Sequence, residues 1–203
     1  MTARLTAPVP KTIVLIGLMG AGKSCIGRLL AQRLDLKFID ADMEIENAAQ
    51  CSIAETFERH GEAAFREGER RVIARLLDGP VHVLAAGGGA FMNQQTRAKI
   101  RERGIAVWLR ADLDLLVRRV SRRRNRPLLK HGKPRQILKR LMAERYPVYA
   151  EANIAVDTSD QPPEVIVDQV IEALETYINA SRQAQPRPEP RRAQASTNVR
   201  RAR

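Results

Sequence analysis

The sequence predicts an α/β fold: a five-stranded parallel sheet flanked by helices. Two observations carry this. Short apolar runs alternate with longer stretches of helical spacing along most of the chain. Such alternation builds a parallel sheet through right-handed crossovers. The first run, Thr12-Ile13-Val14-Leu15-Ile16, is almost continuously apolar, as a strand covered on both faces must be.

The remaining elements follow in order. A Gly-rich turn leads into a helix with Ile26, Leu29, Leu30 and Leu34 on one face. Lys37 to Asp40 is a brief second strand. Ile53 to Leu77 has helical spacing with a break near Gly61, and Phe65, Val72, Ile73, Leu76 and Leu77 form its apolar stripe. Val81 to Ala86 is a third strand that runs into Gly87-Gly88-Gly89. Gln94 to Arg103 is helical, and Ile105 to Leu109 is the fourth strand. Asp112 is placed to cap a helix through Val120. Leu138 to Ala143 is helical and Asn153 to Val156 is the fifth strand. Pro162 and Pro163 open a last helix with Ile166, Val170, Leu174 and Ile178 at helical spacing.

The 203 residues divide into an N-terminal extension, 1–11, one domain, 12–180, and a tail, 181–203. Aromatics are only 4% of the chain, so Val, Ile, Leu and Ala must fill the core. No apolar run is long enough to span a bilayer. The first eleven residues lack the apolar segment of a signal peptide, so a cytoplasmic location without membrane contact is expected. Cys25 and Cys51 show neither metal-ligand spacing nor a disulfide framework. Cys25 falls at a helix N-terminus, where a thiol can be activated; a small buried thiol is the favoured reading.

The net charge of +12 is unevenly placed. Residues 118–145 hold twelve Lys or Arg against Glu144 alone, and residues 181–203 hold seven Arg against Glu189 alone. The rest of the chain is net acidic. The tail, poor in large apolar residues, is expected to be disordered. The stretch from about 122 to 136, basic and containing Pro127, Gly132 and Pro134, is expected to form a lid.

Ligands of parallel sheets bind at the carboxyl ends of the strands. There the sequence places Gly17-Leu18-Met19-Gly20-Ala21-Gly22-Lys23-Ser24, a full match to G-x-x-x-x-G-K-[ST] between a strand and a helix. Gly17, Gly20 and Gly22 permit backbone angles and close approaches that a side chain would block. The loop N–H groups and the helix N-terminus then face phosphate oxygens. Lys23 reaches the β- and γ-phosphates of a nucleoside triphosphate, and the Ser24 hydroxyl meets Mg²⁺. The second strand ends in Asp40-Ala41-Asp42, whose carboxylates would point the same way in an extended segment. The competing reading is an acidic turn or a helix N-cap. Arg66 and Glu69 are three apart on a helix and can pair. A guanidinium held in this way receives a carboxylate well. A plain surface ion pair is the alternative.

The ordered set of Gly-Leu-Met-Gly-Ala-Gly-Lys-Ser, Phe-Ile-Asp-Ala-Asp, Phe-Arg-Glu-Gly-Glu, Gly-Gly-Gly, Arg-Pro-Leu-Leu and Met-Ala-Glu-Arg-Tyr-Pro-Val-Tyr resembles the shikimate kinases. The match runs from Ile13 to about Ile178. It implies a fold like that of the P-loop nucleoside monophosphate kinases, with 12–180 as the kinase domain. It also implies transfer of the ATP γ-phosphate to the 3-hydroxyl of shikimate, with Mg²⁺ as cofactor. Under this resemblance Asp40 supports the metal with Ser24, and Asp42 binds shikimate. Arg66 and Arg145 grip its carboxylate, and Gly88 and Gly89 contact its ring hydroxyls. Arg126 is the lid arginine that approaches the transferring phosphate, so Lys23, Asp42 and Arg126 form the catalytic set. Gly20, Ala21, Gly22, Lys23, Ser24 and Cys25 line the ATP phosphates, and Arg119 and Pro163 flank adenine. Two positions depart from the family pattern: Ala86 stands where a small hydroxyl residue is common, and Cys25 where threonine is usual. A monomer binding ATP and shikimate is expected.

Three other readings stand beside this one. A P-loop kinase of another acceptor, such as gluconate or a nucleotide, fits the loop but uses Arg66, Arg145 and Asp42 less well. A nucleic-acid-binding module draws on the tail arginines, yet no RNA-binding aromatic motif or zinc spacing accompanies them. A non-enzymatic nucleotide-binding regulator leaves the acceptor set without a use.

Overall fold

A computed structural model of the chain describes residues 5, 7–121 and 133–184. Its sheet has five strands in the order β2-β3-β1-β4-β5. They are β1 (Thr12–Ile16), β2 (Lys37–Asp40), β3 (His82–Ala85), β4 (Gly104–Ala111) and β5 (Ile154–Thr158). Every neighbouring pair is parallel. All five residues of β1 are buried, so helices cover both faces at the centre of the sheet.

Among the described residues the helices are α1 (Lys23–Leu34), α2 (Ala41–Ala49), α3 (Ile53–Leu77), α4 (Gln94–Arg103), α5 (Leu113–Ser121), α6 (Pro134–Tyr149) and α7 (Pro163–Gln183). Helix α1 packs on α7 and against β2 and β3, and α7 also covers β5. Helix α4 packs on β4 and α3, and α6 on α5. The aliphatic core expected from the composition is present: Ile13, Leu15, Leu30, Leu84, Leu109, Leu115 and Leu174 are all 1% exposed or less. The kink expected near Gly61 is also present, with φ 77° and ψ 172° inside α3. Asp112 caps as expected, its Oδ1 accepting from the Leu115 N–H at 2.7 Å.

Four readings need correction. Asp40 to Asp42 is not an extended run. Helix α2 begins at Ala41, and the Asp40 side chain accepts from the Asp42 N–H, so the N-cap reading describes the backbone. Helix α6 starts at Pro134 and continues to Tyr149, well beyond Leu138 to Ala143. Pro134 to Gln136, placed in the lid, form its first turn, while residues 122–132 and Arg126 among them lie outside the described residues. Helix α7 runs on to Gln183, so Ser181 to Gln183 belong to it and not to a disordered tail. Residues 185–203 lie outside the described residues. Finally, Cys25 is exposed, not buried.

Candidate active site

The loop between β1 and α1 is shaped by its glycines. Gly17, Gly20 and Gly22 have φ of +146°, +89° and +99°, angles that L side chains rarely adopt. Gly17 has a second constraint: a Cβ there would lie 2.7 Å from the Leu109 carbonyl oxygen of β4. The Lys23 ammonium folds back over the loop and donates to Gly17 O at 2.9 Å and Leu18 O at 3.3 Å. Its charge is thereby held against the loop, at the start of α1.

Asp40 joins this loop to the next element. One carboxylate oxygen accepts from the Ser24 hydroxyl at 2.8 Å, and the other accepts from the Asp42 N–H at 3.2 Å. A hydroxyl and a carboxylate in contact are hard oxygen donors. Mg²⁺ in phosphate sites takes one or two protein oxygens and completes its shell with phosphate and water. Ser24 and Asp40 therefore fit that cation, and no larger carboxylate cage is needed.

Arg119, on the last turn of α5, reaches across to the loop. Its guanidinium donates to Gly20 O at 3.4 Å and to Ser159 O at 2.7 Å. Ser159 precedes the turn that opens α7 at Pro163. Arg119 thus ties the phosphate loop to the segment leading into Pro163.

The triple glycine after β3 is where the charged groups converge. None of the three has a positive φ; they are glycines because side chains crowd them. A Cβ on Gly87 would stand 2.7 Å from Glu69 Oε1 and 2.9 Å from Asp42 Oδ1. On Gly88 it would meet Arg145 Nη1 at 3.3 Å, and on Gly89 it would meet Arg66 Nη1 at 2.6 Å. Two carboxylates and two guanidinia from α2, α3 and α6 therefore surround three consecutive residues.

Arg66 is pinned from both sides, by Glu69 at 2.7 Å and Glu62 at 3.3 Å. Glu69 is only 3% exposed. Burial pushes its carboxyl above the ordinary value, and the Arg66 guanidinium works against that rise. Sequence reasoning treated Glu69 only as the partner of Arg66; it also lies against Gly87 beside Asp42. Arg145 donates to Gly88 O at 2.8 Å. Its Nε is buried and has no hydrogen-bond partner among the described residues. The arginine thus keeps donor capacity that the protein does not consume. Tyr149 was missed altogether, although it closes the Tyr-Pro-Val-Tyr run. Its hydroxyl donates to the same Gly88 oxygen.

Of the residues expected from sequence, Gly20, Ala21, Gly22, Lys23, Ser24, Asp40, Asp42, Arg66, Gly88, Gly89, Arg119 and Arg145 come to one end of the sheet. Cys25 follows Ser24 in the first turn of α1.

A phosphate loop on a five-stranded parallel sheet, facing a second cluster that can receive an anionic hydroxy compound, defines a P-loop small-molecule phosphotransferase. The Shikimate kinase family model matches residues 19–175. A shikimate kinase of Paramagnetospirillum magneticum is 59% identical over 175 residues, covering 86% of this chain and 90% of that protein. One of Rhodopseudomonas palustris is 56% identical over 171 residues, 84% of each. Among solved structures, a shikimate kinase from Acinetobacter baumannii in complex with shikimate superposes with a TM-score of 0.79 at 34% identity, covering 88% of this chain and 97% of the other. The chain belongs to the shikimate kinase family.

Proposed function

We propose that this chain transfers the γ-phosphate of ATP to the 3-hydroxyl of shikimate, giving shikimate 3-phosphate and ADP. The observation that carries the reading is the convergence of Arg66 and Arg145, distant in sequence, on Gly88 and Gly89. Two guanidinia beside one another select a carboxylate. Asp42, against the adjoining Gly87, meets ring hydroxyls. A nucleobase can accept hydrogen bonds from them but brings no negative charge to that pair of cations, so a carboxylate suits them better.

The phosphate loop cradles the triphosphate with its N–H groups, and Lys23 offsets charge on the β- and γ-phosphates. Mg²⁺ held by Ser24 and Asp40 would neutralise phosphate oxygens. Arg119 and Pro163 flank the adenine, and Cys25 adjoins the phosphates. Asp42 orients the acceptor hydroxyl and takes up its proton as the new P–O bond forms. Arg126 is assigned to the transferring phosphate by family resemblance. All these groups come from one chain, which acts as a cytoplasmic monomer. No helix among the described residues is long and apolar enough to cross a membrane.

The direct test is ADP release with shikimate, quinate, gluconate and a nucleoside monophosphate as acceptors. Shikimate should be preferred; equal or better turnover with gluconate or the nucleotide would refute the assignment.

The crowding at Gly89 gives a second test. Gly89→Ala keeps an ordinary backbone angle, φ −99°. The new methyl group, however, occupies the seat of the Arg66 guanidinium, which Glu69 prevents from moving far. The expected result is a rise in KM for shikimate of about tenfold or more, corresponding to about 1.4 kcal/mol per tenfold, with KM for ATP unchanged. Equal effects on both substrates would mean that the methyl group disturbs the fold and not the carboxylate seat.

A further inference from the structure

We propose that Tyr149 is a positioning residue of the acceptor site, fixing the Gly88–Gly89 peptide and the Arg145 guanidinium through one shared oxygen. This rests on the reading of Arg145 and the triple glycine as the shikimate seat.

Arg145 and Tyr149 lie four residues apart on α6, so their side chains leave the same face of the helix. Both donate to Gly88 O, the hydroxyl of Tyr149 and Nη1 of Arg145. A carbonyl oxygen has two lone pairs, and here both are engaged. The peptide plane between Gly88 and Gly89 is consequently locked. A trans peptide is rigid, and its C=O and the following N–H point in opposite directions. Holding Gly88 O from below therefore aims the Gly89 N–H at the other side, away from α6. A run of three glycines has no side chain with which to fix itself; the Ala90 and Met92 N–H groups hold the Gly87 and Gly89 oxygens, and α6 holds that of Gly88.

Tyr149 is built for that one task. Its side chain is fully buried. Its ring packs edge-on against Phe91, at 6.4 Å between centroids, and against Trp108, at 6.0 Å. The ring cannot swing away to seek another partner. Burial pushes its hydroxyl up to about 12, so it remains a proton donor throughout the working range of the enzyme. The shared oxygen also fixes where Arg145 puts its remaining N–H groups. Without the tyrosine hydroxyl, Gly88 O keeps a single donor, and the arginine and the peptide lose their common anchor.

Tyr149→Phe removes one oxygen and preserves the packed ring. KM for shikimate is expected to rise about threefold to tenfold, the loss attached to one hydrogen bond, and calorimetric Kd for shikimate should rise in parallel. KM for ATP should stay within about twofold, and kcat likewise, because no group that meets the phosphates depends on this oxygen. Arg145→Lys should already have lost the common anchor, so adding Tyr149→Phe to it should cost clearly less than Tyr149→Phe alone. An unchanged KM for shikimate, a parallel loss on ATP, full additivity with Arg145→Lys or a collapse of thermal stability would each overturn the proposal. Failure of the wild-type chain to phosphorylate shikimate would instead overturn the functional reading beneath it, so the two failures are separable.

Discussion

Lys23→Ala is expected to reduce kcat by at least about 10²-fold to 10³-fold, the usual cost of deleting one preorganised electrostatic stabiliser. Phosphoryl transfer demands little covalent chemistry from the protein; positioning and charge stabilisation supply most of the acceleration. Lys23 sits at the first position of α1, and its ammonium is held over the loop by Gly17 O and Leu18 O. Those two carbonyls place the charge before a phosphate arrives, so little reorganisation is needed when it does. Alanine is the best helix former and does not disturb α1. The variant should therefore keep its circular dichroism and most of its thermal stability while losing turnover. Steady-state ADP release and a melting curve on the same preparation make the check. Near-normal turnover would remove this loop from the mechanism.

Asp42→Asn is expected to lower kcat by about 10²-fold to 10⁴-fold, the range of general-base contributions, and to leave KM for ATP nearly unchanged. The amide conserves size and can still accept one hydrogen bond from a hydroxyl. It cannot take the proton. Its Oδ1 neighbours Gly87 and faces the same glycine as Glu69. Glu69 itself is raised above the ordinary carboxyl value, chiefly by burial, with the neighbouring Asp42 charge a smaller cause. Steady-state kinetics with each substrate varied in turn separates the outcomes. Retention of most turnover would mean that Asp42 only orients the acceptor, and an equal rise in KM for ATP would mean that it is not confined to the acceptor side.

The parts of this site that obey local rules were readable in the sequence. The phosphate loop is fixed by backbone angles that only glycine adopts readily, and its motif, flanked by a strand and a helix, states them directly. The Asp112 cap and the Gly61 break are local in the same sense. Helix α2 was not legible because Ala41 and Ile45 are its only buried residues, too few to set a period. The early start of α6 escaped because Pro134, which opens it as Pro163 opens α7, reads in the sequence as a loop residue of the lid. The triple glycine was tied to the acceptor's ring hydroxyls only through the family resemblance. Its actual cause, four charged side chains from three separate helices pressed against it, is a tertiary relation without a local signature. Tyr149 belongs to the same class, since nothing in a Tyr-Pro-Val-Tyr run says which carbonyl its hydroxyl will meet.

Asp40 divides its two oxygens between the hydroxyl of Ser24 and the backbone of the helix that carries Asp42. In the proposed reaction this one carboxylate would be a mechanical joint between the nucleotide side and the acceptor side. A shift of Asp40 about a bound nucleotide would then also adjust the first turn of α2, and with it Asp42. Such coupling is reciprocal by thermodynamic necessity. Through this joint, any factor by which nucleotide alters affinity for the acceptor is the factor by which acceptor alters affinity for nucleotide.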